Sequence, residues 1–127
     1  MRNQEILIRD PFVISHEGKY YMYGTRSETA FTKEAFGFDV YVGEDLENWD
    51  GPFEVFHRPE GFWATMHYWA PEEHRYRDRF YMFATFATEK EQGTAILSAE
   101  NPKGPFCLWS DGTITPKDWL CLDGTFY

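Results

Sequence analysis

Two aspartates and a run of aromatic residues hold most of the chemistry this sequence could offer. Asp10 stands in Arg9-Asp10-Pro11 and Asp123 in Leu122-Asp123-Gly124, while the stretch from His57 to Trp69 carries Phe62, Trp63, His67, Tyr68 and Trp69. Two carboxyl groups facing one pocket can share general acid–base work, and hydrolysis of a glycosidic bond in its usual form needs two of them flanking the bond. Aromatic side chains add flat faces; a carbohydrate offers apolar ring faces to pack on them and hydroxyls that need acceptors. Each residue also has a plainer reading. Asp before Pro commonly starts a turn, Asp-Gly is a strong turn signal, and Trp is often largely buried. The choice depends on the elements that place them.

An internal repeat supplies those elements. Asp10-Pro11-Phe12-Val13 and Lys19-Tyr20-Tyr21-Met22-Tyr23-Gly24-Thr25 return as Ala70-Pro71-Glu72-Glu73 and Arg79-Phe80-Tyr81-Met82-Phe83-Ala84-Thr85, without a gap, at one offset of 60 residues. A second word, Gly-Pro-Phe, occurs at Gly51-Pro52-Phe53 and again at Gly104-Pro105-Phe106. From Gly51 to Ala70 is 19 residues, as from Gly104 to Asp123, so Asp123-Gly124-Thr125-Phe126 opens a third unit where Asp10 and Ala70 open the first two.

Each unit reads as four strands: roughly Ile8–Ile14, Lys19–Gly24, Phe38–Gly43 and Phe53–His57, then Pro71–Tyr76, Arg79–Ala84, Thr94–Ala99 and Phe106–Trp109. His16-Glu17-Gly18 and Arg77-Asp78 supply turn chemistry between the first two strands of each. No segment carries a capped apolar period of 3.6, so helices are expected to be minor. Four-stranded units of ~50 residues in tandem are the signature of propeller blades. The expected fold is all-β: one blade over about residues 6–57, a second over about 69–110, and the first strand of a third over about 120–127. Pro11 and Pro71 open the innermost strand of each blade, an edge where a missing N–H is tolerated. If that strand descends from the top face, Asp10 and Asp123 both start beside the central axis, and the loop between second and third strands shares that face. This loop is seven residues longer in the first blade and carries Phe31 and Phe36.

Composition narrows the partners. Among 127 residues, 43% are hydrophobic and 26% charged, as in a folding chain, and 20% are aromatic. A net charge of −9 argues against nucleic acid and against an anionic membrane surface. No apolar run is long enough to span a bilayer, and the first residues lack the apolar core of a signal peptide. With two cysteines, Cys107 and Cys121, and no metal-type spacing, a reduced cytoplasmic setting is the plain reading, although a removed leader would leave the same sequence.

The words Arg9-Asp10-Pro11, Trp69-Ala70-Pro71-Glu72 and Leu122-Asp123-Gly124 resemble those of family 43 glycoside hydrolases, and the likeness covers the whole chain. The resemblance implies a five-bladed propeller, of which about two-fifths is present. It also implies an inverting O-glycosyl hydrolase acting on arabinose- or xylose-containing plant polysaccharides or oligosaccharides. By position Asp10 matches the base that activates water, and Asp123 the Asp that tunes the acid and orients substrate. The Glu that protonates the leaving group has no counterpart before Tyr127. Trp69, Phe31, Phe36, Trp63 and His67 are then expected to contact sugar. Members of the family often hold an axial calcium whose usual protein ligand would lie beyond this chain, so no cofactor is expected within it.

Other readings stay open. His67, Glu72, Glu73 and His74 invite a metal site, but on a strand neighbouring residues point to opposite faces and converge poorly. A sugar-binding propeller piece without the acid is one alternative function; a kelch-like interaction propeller is another, which the axial Asp10 and Asp123 speak against. Two blades cannot close a ring, so association of copies to complete one is a further expectation.

Overall fold

The computed structural model describes residues 2–27, 34–110 and 114. After a 3₁₀ turn at Asn3–Glu5 come eight strands: β1 (Ile8–His16), β2 (Lys19–Arg26), β3 (Gly37–Gly43), β4 (Asp50–His57), β5 (Met66–Tyr76), β6 (Arg79–Ala87), β7 (Gln92–Ala99) and β8 (Cys107–Leu108). They form two four-stranded sheets, β1-β2-β3-β4 and β5-β6-β7-β8, each antiparallel and in chain order. The fold is all-β and of the propeller type, with one sheet for each copy of the repeat. The expected opening strand of a third blade lies outside the described residues.

Local chemistry explains the hairpins. Glu17 and Gly18 both have positive φ, as do Arg77 and Asp78, and His16 pairs with Lys19 as Tyr76 does with Arg79. Two-residue turns of this hand match the twist of the strands they join. The Gly-Pro-Phe words act at the far side of each sheet. Gly104 has a φ of +76°, and a Cβ there would sit 2.7 Å from the Val55 carbonyl oxygen. Only glycine lets the chain come that close, and two residues on, the Phe106 amide donates to the same carbonyl at 2.7 Å.

The two sheets pack face to face along one seam. From the first come Tyr23, Phe38, Val40, Val55 and Phe56, and from the second Tyr68, Phe80, Met82, Phe86 and Leu97, all buried in one cluster. Phe86 lies at its centre, with ring centroids 5.8 Å from Phe38, 6.1 Å from Phe56 and 4.8 Å from Tyr68. Across the same seam the Tyr23 hydroxyl donates to the Pro102 carbonyl at 2.5 Å. Of the repeated second-strand words, Tyr21, Tyr23, Phe80, Met82 and Phe83 are buried, while Tyr20, Met22 and Tyr81 are half-buried. On the outer face of the first sheet Arg26 donates to Asp39 at 2.6 Å and to Glu54 at 2.8 Å, lacing three strands together.

Several boundaries differ from the sequence reading, among them those of β5 and β8. β5 starts at Met66, so His67 and Trp69 belong to a strand and not to the link before it; register shifts between Met66 and Trp69 and between Trp69 and Glu72 break the alternation that would have revealed it. β8 has only two residues, because beyond it Trp109 and Ser110 both donate to the Ile96 carbonyl. Among the described residues no helix is long and apolar enough to cross a membrane.

Candidate active site at the head of the blade seam

Asp10 is built into β1 by the proline that follows it. Pro11 cannot donate to the ladder, and the register with β2 shifts between Arg9 and Phe12. At this bulge Asp10 takes a φ of +49°, a left-handed conformation that costs a non-glycine residue about 1–2 kcal/mol. The same backbone recurs in β5, where Ala70 precedes Pro71 at a φ of +46°. The repeat therefore extends to backbone conformation, and in one blade the residue presented there is a carboxylate. Asp10 is exposed, and among the described residues nothing hydrogen-bonds or ion-pairs with its side chain. Held strain of this kind clusters where a side chain has to be aimed.

A hydrogen bond joins the two blades at this level. The Ala70 amide donates to Oγ1 of Thr25 at 2.7 Å; Thr25 is 1% exposed and pairs in register with Arg9, the neighbour of Asp10. Trp69 thus precedes Ala70 at one end of this tie, and Asp10 follows Arg9, the cross-strand partner of Thr25 at the other. A carboxylate on β1 and a half-buried indole on β5 therefore flank this tie between the innermost strands of the two blades.

Trp69 is backed by His67. The rings stack with centroids 4.2 Å apart and planes 14° from parallel, and Nδ1 of His67 lies 3.2 Å from Oε1 of Gln92 on β7. His67 itself has a φ of +53°, so the segment that carries Trp69 has left-handed residues at His67 and at Ala70.

The other expected sugar contacts divide. Phe36, 43% exposed, leads into β3 and stacks on His57 at 6.1 Å, with the Arg58 guanidinium 4.7 Å above its ring. Trp63 packs on Phe62 and Phe86 at the edge of the inter-blade cluster, and its indole N–H is buried without a hydrogen-bond partner among the described residues. Asp123 and Phe31 lie outside the described residues.

On β5 the alternation expected of a strand separates the acidic pair. Glu72 and His74 share one face, their side chains 2.8 Å apart, while Glu73 turns to the other and is 1% exposed. Neither oxygen of Glu73 has a hydrogen-bond partner among the described residues, and burial pushes its carboxyl well above the ordinary range. Among the described residues no three His, Cys, Asp or Glu side chains are grouped to hold an ion, and no step below depends on the axial calcium implied by the resemblance.

Sequence reasoning missed Thr25, Gln92 and the burial of Glu73. Thr25 had a signal, since it closes the repeated second-strand word and returns as Thr85. Gln92 had none; it matters only through a ring on another strand.

With this geometry in view, comparison with known proteins adds a family and a fold. A family model described as Glycosyl hydrolases family 43 matches residues 5–127. An endo-arabinase from Bacteroides thetaiotaomicron is similar over 100% of this chain and 43% of its own, with a TM-score of 0.87 and 32% identity. An endo-1,4-beta-xylanase from the same organism is similar over 87% of this chain and 36% of its own, with a TM-score of 0.70 and 28% identity. A putative exo-beta-1,3-galactanase from Bifidobacterium bifidum, at 18% identity, shares the fold over 93% of this chain and 40% of its own with a TM-score of 0.73. No curated protein matches. The chain spans about two-fifths or less of the length of these structures.

Proposed function

The chain belongs to the glycosyl hydrolases of family 43, and on that premise we propose that it forms the base-bearing part of a site that hydrolyses O-glycosyl bonds with inversion, Asp10 being the general base. The observation that carries the reading is the placement of Asp10: an exposed carboxylate held in a left-handed bulge, next to Arg9, the cross-strand partner of the Thr25 that ties β5 to the first blade just after Trp69. Such a carboxylate takes a proton from water on one face of the sugar. The water oxygen bonds to the anomeric carbon as the bond to the leaving oxygen breaks, and a carboxylic acid supplied from outside the described residues protonates that oxygen. Asp123 is the proposed partner that orients the substrate. Single displacement sets Asp10 and the acid ~6.5–9.5 Å apart, leaving room for the water.

Arabinose- or xylose-containing polysaccharide is the proposed substrate class, supported by the endo-arabinase and the xylanase among the similar structures. The galactanase shares only the fold and gives galactosides less support. The test is turnover of 4-nitrophenyl α-L-arabinofuranoside, β-D-xyloside and β-D-galactoside by the chain and its Asp10→Asn variant. A nitrophenolate leaves with little protonation, so these substrates make the least demand on a general acid. Turnover of a pentoside that falls ~10²-fold or more in Asp10→Asn is the expected result. Equal turnover in both would remove Asp10 from the mechanism, and binding of an arabino- or xylo-oligosaccharide without turnover would reduce the chain to a sugar-binding unit.

A further inference from the structure

Trp69 is offered on an unusual piece of backbone. Its strand is bulged on both sides of it, and left-handed residues stand two before it and one after it, at His67 and Ala70. Each of those costs free energy that the surroundings must offset. On one side the Ala70 amide is fixed to Thr25 of the first blade. On the other, the left-handed turn at His67 folds its imidazole back beneath the indole, where it lies almost parallel at 4.2 Å. Residues i and i+2 of a regular strand share a face with side chains well apart; here the bulge brings the rings into van der Waals contact. Gln92, at the start of β7, fixes the imidazole from below through the 3.2 Å contact to Nδ1.

We propose that His67 and Gln92 are positioning residues that set the plane of Trp69 as a plate for a sugar ring, so that these two side chains govern how tightly and in what orientation a glycoside is held beside Asp10. This rests on the proposed carbohydrate site and deepens it. It also gives His67 a role different from direct sugar contact. An imidazole pressed to one face of an indole restricts its rotation, and a ring fixed before the ligand arrives loses less freedom on binding. Gln92 matters because an imidazole free to swing would carry the indole with it. Stacking between offset rings is a contact of moderate strength, so its loss should weaken binding by roughly 2- to 10-fold and should not abolish it.

The experiment labels the whole chain with 5-fluorotryptophan, giving one ¹⁹F resonance for each of five tryptophans. The Trp69 signal is identified by its loss in Trp69→Phe, and the other four report whether each variant remains folded. In His67→Ala the Trp69 resonance should shift and broaden while the others hold; in His67→Phe, which keeps a flat ring, it should return toward its original place; in Gln92→Leu it should broaden with little shift. Titration with arabinotriose and with xylotriose should move the Trp69 resonance of the unsubstituted chain, with affinity ranked unsubstituted, His67→Phe, His67→Ala. A Trp69 resonance indifferent to His67→Ala, or an affinity unchanged by it, would overturn the positioning role. A Trp69 resonance that neither sugar moves would instead overturn the sugar plate itself, while the ring contact to His67 could still stand on the spectra of the free chain.

Discussion

At the scale of single residues, Glu73 is the group most at odds with its surroundings. It faces the seam beside Met82, its register partner on β6, and occupies the place that Val13 holds in the first blade. Burial pushes a carboxyl so placed well above its ordinary range, and burial likewise pushes up the nearby Tyr23 phenol. The sign of the pH dependence follows. The folded pKa lies above that of the unfolded chain, so the native state keeps a proton the unfolded chain has lost; stability from this group is complete below the unfolded value and drains away as pH rises through the folded one. Denaturant unfolding between pH 4 and 9 should show a decline approaching ~1.4 kcal/mol per pH unit in the window between the two values, and Glu73→Gln should flatten it. Parallel curves for the two proteins would mean that Glu73 finds a partner when ionised. Nothing in Glu72-Glu73 as a sequence announces this burial, because adjacent acids read as a solvated face. Asp10 was legible as a candidate through the repeat. Its left-handed backbone was not, since a following proline ordinarily favours an extended conformation.

Among the elements, what could be read from the sequence and what could not divide along regularity. β2 and β6 follow one repeated word, and the turns before them lie where Glu17-Gly18 and Arg77-Asp78 suggest. The first half of β5 was hidden, since two bulges within six residues destroy the period of two on which recognition depends. Thr25 and Gln92 escaped for another reason: their partners belong to a different strand or a different sheet, and no local pattern encodes that. The glycines offer a graded test of how tightly the sheets approach. Gly18 and Gly104 have similar positive φ, yet a Cβ at Gly18 meets nothing within 4 Å while one at Gly104 meets a backbone oxygen. Gly18→Ala should lose only the conformational cost of about 1–2 kcal/mol, and Gly104→Ala distinctly more, as read by urea midpoints of the two variants. Equal losses would show that the link before β8 yields without strain. Thr25→Val keeps the shape of the side chain but leaves the Ala70 amide without its acceptor, and should cost about 1–3 kcal/mol in the same assay.

For the molecule as a whole, the continuous aromatic cluster makes the two blades one cooperative body. Phe86 touches rings contributed by both sheets, so Phe86→Ala should cost about 3–5 kcal/mol and lower the stability of both blades together. Unfolding followed by near-ultraviolet dichroism and by tryptophan fluorescence should stay coincident; separated transitions would mean that each blade melts by itself. The tie at the head of the seam then has a use beyond holding the site. The Ala70 amide is fastened to a hydroxyl of the neighbouring blade, so its hydrogen should exchange with deuterated solvent when the sheets part, whatever fraying occurs within either of them. That one amide is a clock for the opening of the seam, and slowing of its exchange when an oligosaccharide is added would record, in the free energy of opening, how far a bound sugar clamps the blades together.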